Sequence, residues 1–227
     1  MNSLYVYHHL GMGDNFMLNG LIRHIATQYE KIFLFAKPKF AKNILDLYRD
    51  EHKIKIIALD DGDVRQFINF NKQNKYLIIG HTPDFFKRVE KGEKTFDQLF
   101  YEDCNVHFEY KWTNFYYKRD LDKEKDTFYN ILKLTDDDKF IFVHDSKERP
   151  ITREIPANTK IIRPDNNQIG IYDFLYTIEK AQQVHVMNSS FMNLIDCMQL
   201  RNDNLFYHEY SRPNINTILK LNWKILK

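Results

Sequence analysis

The 227-residue chain has only two cysteines, seven glycines and six prolines, and it has no long apolar run. Cys104 and Cys197 lie far apart and form no C-x-x-C, so neither a disulfide framework nor a zinc site is expected. Both read as thiols of a reducing compartment. No apolar stretch approaches the ~20 residues that span a bilayer. The N-terminus lacks a basic segment leading an apolar one, so no signal peptide is read and a cytoplasmic protein is expected. Net charge is also scarce: 33 Lys and Arg against 31 Asp and Glu leave +2, which points to neither nucleic acid nor a membrane surface as partner. P-loop, H-E-x-x-H, G-x-S-x-G and EF-hand patterns do not occur, nor do internal repeats.

What is present is an ordinary globular composition, 43% apolar and 28% charged, in a chain long enough for one large domain or two small ones. The opening stretch sets the pattern. Leu4–His9 reads as a strand, Gly11-Met12-Gly13-Asp14 as a tight turn, and Met17, Leu18, Leu21, Ile22, Ile25 and Tyr29 as one stripe of a helix. Asp14 stands where an N-cap belongs, and the two glycines allow positive φ or close backbone approach. Phe16 occupies the position where G-x-G-x-x-G needs glycine, so the dinucleotide fingerprint is not met.

Strands are expected again at Lys31–Ala36, Ile54–Leu59 and Tyr76–Gly80, with helices between them. Residues 96–130 break the rhythm with aromatics and charge, and the domain junction is placed there or just after, giving domains 1–125 and 126–227. A second series follows: strands Phe140–His144, Thr159–Ile162 and Val184–Met187, a helix capped by Asp173, and a helix Phe191–Met198. A short strand Leu205–Tyr207 and a terminal helix Ile215–Leu221 complete it. Strands alternating with helices predict an α/β protein, two Rossmann-like parallel-sheet lobes facing a cleft.

Three places can carry chemistry. Asn188, Ser189 and Ser190 lie at a helix N-terminus, where backbone N–H groups and the helix dipole favour an anion such as phosphate. After Phe140–His144 come Ser146, Lys147, Arg149 and Arg153, candidates to clamp a diphosphate. His81 and His144 end strands, and an imidazole there can donate to phosphate or act as a base near neutral pH. Each has a plain structural reading beside it: a helix cap, a solvated loop, a packed histidine. Asp61-Gly62-Asp63 is weighed separately, because a strand ending in D-x-D can hold Mg²⁺ or Mn²⁺ beside a nucleotide diphosphate. The same residues also make an ordinary turn and cap.

Gly11–Asp14 (GMGD), between a strand and a helix, resembles the GxGD loop that opens heptosyltransferase-like glycosyltransferases of the GT-B fold. Ile171–Asp196 (IYDFLYTIEKAQQVHVMNSSFMNLID) resembles their C-terminal segment, in which a D/N-S-S/T turn leads the helix beside the donor phosphates. The resemblance implies a shortened, two-domain enzyme. Its acceptor is held by the N-terminal half and its nucleotide-sugar by the C-terminal half, with no metal or other cofactor required. It maps a candidate general base onto Asp14 and the serine turn onto Asn188, Ser189 and Ser190, with Gly11 and Gly13 in the phosphate-side loop. Two departures stand out: Asn188 replaces the more frequent Asp, and the Gly-rich, Lys/Trp-containing segment of true heptosyltransferases is missing after Phe140–His144. The donor is therefore left open.

Two other function classes are kept. A nucleotide-sugar hydrolase or epimerase uses the same two-lobed architecture, and a non-catalytic nucleotide- or glycan-binding module needs no reacting group at all. Sugar, nucleotide base, acceptor and oligomeric state are open, a homo-oligomer included.

Overall fold

The computed structural model describes residues 2–164, 169–213 and 217–227. The chain forms two compact units, Met1–Lys118 with Asn216–Ile218, and Arg119–Ile215 with Leu219–Lys227.

In the first unit, β1 (Ser3–Tyr7), α1 (Met12–Ala26), β2 (Lys31–Ala36), α2 (Pro38–Leu47), β3 (Ile54–Ala58), α3 (Asp61–Phe70) and β4 (Tyr76–Ile78) alternate as the sequence predicts. The four strands are parallel in the order β3-β2-β1-β4. β2 reads KIFLFA because both faces of a parallel sheet are covered. Pro38 opens α2, where its missing N–H costs nothing. α4 (Phe85–Glu90) follows, and α5 (Phe96–Asp103) and α6 (Tyr110–Thr113) lie in the aromatic stretch.

α1 is buried on nearly every side, from Met12 to Ala26, and its neighbours hold it by name. The Tyr101 hydroxyl donates to the Met17 carbonyl at 2.8 Å, and the Tyr116 N–H donates to Asn19 Oδ1 at 2.9 Å. Gly20 explains how α6 comes so close: a Cβ there would stand 1.8 Å from the Tyr110 carbonyl oxygen and 2.8 Å from its carbon. Glycine inside a helix is about 1 kcal/mol worse than alanine, so here contact outweighs propensity. Gly20→Ala is accordingly expected to destabilise by at least ~1–3 kcal/mol, read as a lower urea midpoint. An unchanged midpoint would mean that α6 does not press on α1.

In the second unit, α7 (Leu121–Asp126) runs into a π-helical turn, Thr127–Ile131. After it come β5 (Phe140–His144), β6 (Lys160–Ile162), a 3-10 turn Ile171–Phe174, α8 (Leu175–Lys180), β7 (Gln183–Val186), α9 (Ser190–Met198), β8 (Leu205–His208) and β9 (Lys224–Leu226). These five strands are also parallel, in the order β6-β5-β7-β8-β9. Phe142 of β5 is fully buried against Phe174 and Phe191, with ring centroids 5.9 and 5.3 Å away. Arg119 forks onto Glu179 of α8 at 2.7 and 2.8 Å and also pairs with Glu124 of α7. The α/β architecture of two Rossmann-like parallel-sheet lobes is thus as the sequence predicts.

Three local expectations are corrected. Asp14 is not the N-cap of α1: the helix starts at Met12, Gly11 caps it, and Asp14 is the third helical residue, reaching back to accept the Gly11 N–H at 3.1 Å. Asp173 does the same for Gly170 at 3.0 Å, so a Gly-x-x-Asp element recurs in both units. The terminal helix expected over Ile215–Leu221 is not found over residues 217–221, which are not helical; Ile215 and Asn216 lie outside the described residues. Buried carboxylates have taken the N–H groups such a helix needs: Asp97 accepts from Ile218, and Asp196 from Lys220 and Leu221. The chain instead runs on to β9, a strand the sequence reading missed.

Candidate functional site

In each sheet the first strand has neighbours laid down on both sides, so the order reverses beside it. The reversals fall between β1 and β4 and between β5 and β7. Such switch points, at the carboxyl ends of the strands, are where open α/β sheets bind ligands. The candidate residues concentrate there.

In the first unit, His8, His9 and Gly11 follow β1 and Gly80 and His81 follow β4. His8 is wholly buried, and its Nδ1 accepts the Leu10 N–H at 3.2 Å. Burial first, and His9 and His81 after it, hold the imidazole down to a pKa of about 3, so it is neutral. Leu10 rather than either loop glycine takes the left-handed turn (φ 52°), whereas Gly11 is extended (φ −72°). A Cβ at Gly11 would stand 2.3 Å from the Asp14 carboxylate and would displace it from the Gly11 N–H. Gly13 lies inside α1 rather than in a loop.

His9 Nε2 donates to the Gly80 carbonyl at 2.6 Å, its ring walled by Phe96 and Phe100 at centroid distances of 5.0 and 5.4 Å. Gly80 has φ +74°, and a Cβ there would meet Phe100 at 2.5 Å, so only glycine fits. His81 stacks on Tyr7, centroids 4.3 Å apart and planes 15° off parallel. Burial lowers its pKa, and its Nε2 is sealed from solvent with no hydrogen-bond partner among the described residues. A cavity of about 400 Å³ lies beside it, lined by Tyr7, Arg65, Ile68, Asn69, Ile78 and His81. That is the size of a small-ligand site.

Asp61 and Asp63 open α3. Asp61 Oδ1 accepts from the Tyr7 hydroxyl at 3.2 Å and its Oδ2 pairs with Lys37 at 3.2 Å, while Asp63 is exposed in the first turn of α3. Among the described residues no group of three or more His, Cys, Asp or Glu is placed to hold a metal ion.

In the second unit, His144 ends β5 and Ser189 follows β7, and they bond directly across the reversal, Nδ1 to Oγ at 2.9 Å. Ser189 caps α9, its Oγ accepting the Met192 N–H at 3.5 Å. Where the Ser189 hydroxyl donates to His144 Nδ1, the neutral ring keeps its proton on Nε2 as a donor. Burial holds the His144 pKa to about 4, so the ring stays neutral near pH 7. Asn188 is buried and Ser190 is the first residue of α9.

The loop after β5 is organised by Asp145, which accepts the Ile151 N–H at 3.0 Å and pairs with Arg163 at 3.1 Å. Ser146 and Arg149 close a small turn within it, and Lys147 is exposed. Arg153 lies 4.5 Å over the Tyr210 ring and donates to the Lys227 carbonyl at 3.0 Å.

Sequence reasoning missed the segment Tyr210–Arg212 that follows β8. Tyr210 OH accepts the Thr152 and Arg153 N–H groups, Ser211 Oγ donates to the Arg149 carbonyl, and Arg212 donates to the Asn188 carbonyl. The only signal was an aromatic, a hydroxyl and a guanidinium directly after a strand. A larger cavity, about 780 Å³, opens at the opposite edge of this sheet beside Gln182, Gln199 and Asn202, and contains none of the candidate residues.

No helix among the described residues is long and apolar enough to cross a membrane. No family model matches the sequence, and no curated protein matches it. Solved structures do match. A glycosyl transferase of family 9 from Veillonella parvula aligns with a TM-score of 0.56 and 9% identity, covering 92% of this chain and 80% of that one. The ADP-heptose LPS heptosyltransferase II of E. coli aligns with a TM-score of 0.60 and 11% identity, covering 100% of this chain and 90% of that one. At such identities the likeness concerns architecture: the chain has the heptosyltransferase-like glycosyltransferase fold.

Proposed function

We propose that the chain is a glycosyltransferase, moving a sugar from a nucleotide-sugar donor to a glycan or other hydroxyl acceptor without a metal ion. The observation that carries the reading is the His144–Ser189 pair at the second sheet's reversal, beside the N-terminus of α9. Ser189, Ser190 and the first N–H groups of α9 suit a phosphate, and a neutral His144 adds a donor without bringing a charge of its own. Lys147, Arg149 and Arg153 stand on the loop beside them as cations for the leaving diphosphate. In the first unit, Asp14 is the candidate base for the acceptor hydroxyl, with His81 the other titratable candidate beside the 400 Å³ cavity. A cytoplasmic location belongs to the same reading.

Asp14→Asn is the sharper test, because an amide oxygen can still accept the Gly11 N–H. It is expected to lower transfer by about 10²–10⁴-fold, the usual contribution of a general base, while nucleotide affinity stays within twofold. The donor is found first by thermal shift with UDP, GDP, ADP and CMP compounds, with and without Mn²⁺. A ligand at a hundred times its Kd raises stability by about 2.7 kcal/mol. Normal turnover in Asp14→Asn would end its role as base. Sugar release without any acceptor would favour a hydrolase instead.

A further inference from the structure

We propose that Arg212 is the guanidinium that binds the donor's phosphate oxygens, an inference that rests on the donor-side reading of the second unit. Arg212 follows β8, the strand next to β7, at the sheet edge that carries His144 and Ser189. Its Nη1 donates to the Asn188 carbonyl at 3.0 Å, which sets the planar group against the turn that opens α9. That bond uses one of five donors on a rigid fork, and forks of this kind suit paired phosphate oxygens.

The backbone that carries Arg212 is fixed on both sides of the same edge. Tyr210 OH takes the N–H groups of Thr152 and Arg153 at 3.2 Å each, and Ser211 Oγ holds the Arg149 carbonyl at 3.0 Å. The basic loop and the serine turn are therefore tied to one short segment, and Arg212 sits where the tie meets the turn. Of the other guanidinium groups of this region, Arg153 is directed to the Tyr210 ring and the Lys227 carbonyl, and Arg163 to Asp145. Arg212 is thus the cation whose position is set by the phosphate-binding turn itself.

The test uses the full chain, inorganic pyrophosphate as probe, and titration calorimetry at low ionic strength. Arg212→Gln retains an N–H for the Asn188 carbonyl and removes the charge. It is expected to weaken pyrophosphate binding about tenfold or more, with Arg212→Lys intermediate. Arg201→Gln, the same charge change at the opposite sheet edge, should stay within twofold. Melting without ligand verifies that each variant is folded, and Arg212→Lys carries the comparison if the glutamine variant is not. Unchanged binding in the Arg212 variants, or an equal loss in Arg201→Gln, overturns the assignment while leaving the donor-side reading intact. Failure of the unaltered chain to bind either pyrophosphate or any nucleoside diphosphate overturns both.

Discussion

Truncating Asp97 to alanine is expected to cost about 3–5 kcal/mol of stability, the scale seen when one partner of a buried ion pair is removed. Asp97 and Lys111 are both fully buried, with Nζ 2.6 Å from Oδ2. The ammonium also donates to the Ile218 carbonyl at 2.6 Å and to Thr217 Oγ1 at 3.2 Å, and lies 4.9 Å from the Trp112 ring centroid. The same carboxylate oxygen accepts from the Thr217 hydroxyl and the Ile218 N–H. Without Asp97, a cation is left in a low-dielectric pocket and two donors of the returning chain lose their acceptor. Urea unfolding should show a large fall in midpoint for Asp97→Ala and for Lys111→Met. The double variant should lose less than the sum, because the two residues act on one another. A cost below 0.5 kcal/mol for Asp97→Ala, an order-of-magnitude threshold for surface sites, would mean that the pair is solvated.

Acid should be the second large perturbation. Burial holds His8 near a pKa of about 3 and His144, His185 and His208 near about 4, all from an ordinary 6.5. These rings are neutral when folded, whereas the unfolded chain protonates below pH 6.5. Their contribution is therefore intact above 6.5 and is lost as pH falls toward 4. The loss is on the order of 2 kcal/mol for a single such histidine at pH 5, a sizeable part of a domain's ~5–15 kcal/mol.

Geometry gives the same sign for the buried pair. Tyr210 OH, already accepting two N–H groups, donates to His208 Nδ1. His208 Nε2–H then donates to His185 Nδ1 at 3.0 Å, and His185 Nε2–H to Gln183 Oε1. An added proton has no acceptor in this chain. Three of the four histidines belong to the second unit, so it should unfold first on acidification. Urea midpoints at pH 7.5 and 5.0 measure this, and equal midpoints would contradict the neutral buried rings.

Much of the fold was legible because its strands are short, β-branched or aromatic and bounded by turn residues. Phe140–His144 is β5 as expected, and Ser189 does cap the helix after β7. The misread caps and the missing terminal helix share one physical origin, a carboxylate acting at a distance or out of register. Asp14 and Asp173 have the composition of caps, yet serve from the third helical position. Asp97 and Asp196 take N–H groups from a segment more than 20 residues further on, which a local pattern cannot report. For the site, the loop after β5 and the serine turn could be named from charge and small hydroxyls. The Tyr210–Arg212 tie could not, since its meaning depends on β8 lying next to β7.

The path of the chain near its end also limits how the molecule can be dissected. Residues up to 118 are not a self-sufficient fragment: cut there, Lys111 would lose Thr217 and Ile218, both of which accept its ammonium hydrogens. A piece beginning at 119 would keep its own edge strand but carry residues 217–218 away from Asp97. Swapping either half into a related scaffold therefore means transplanting a discontinuous sequence, with the 217–218 dipeptide travelling alongside the N-terminal half.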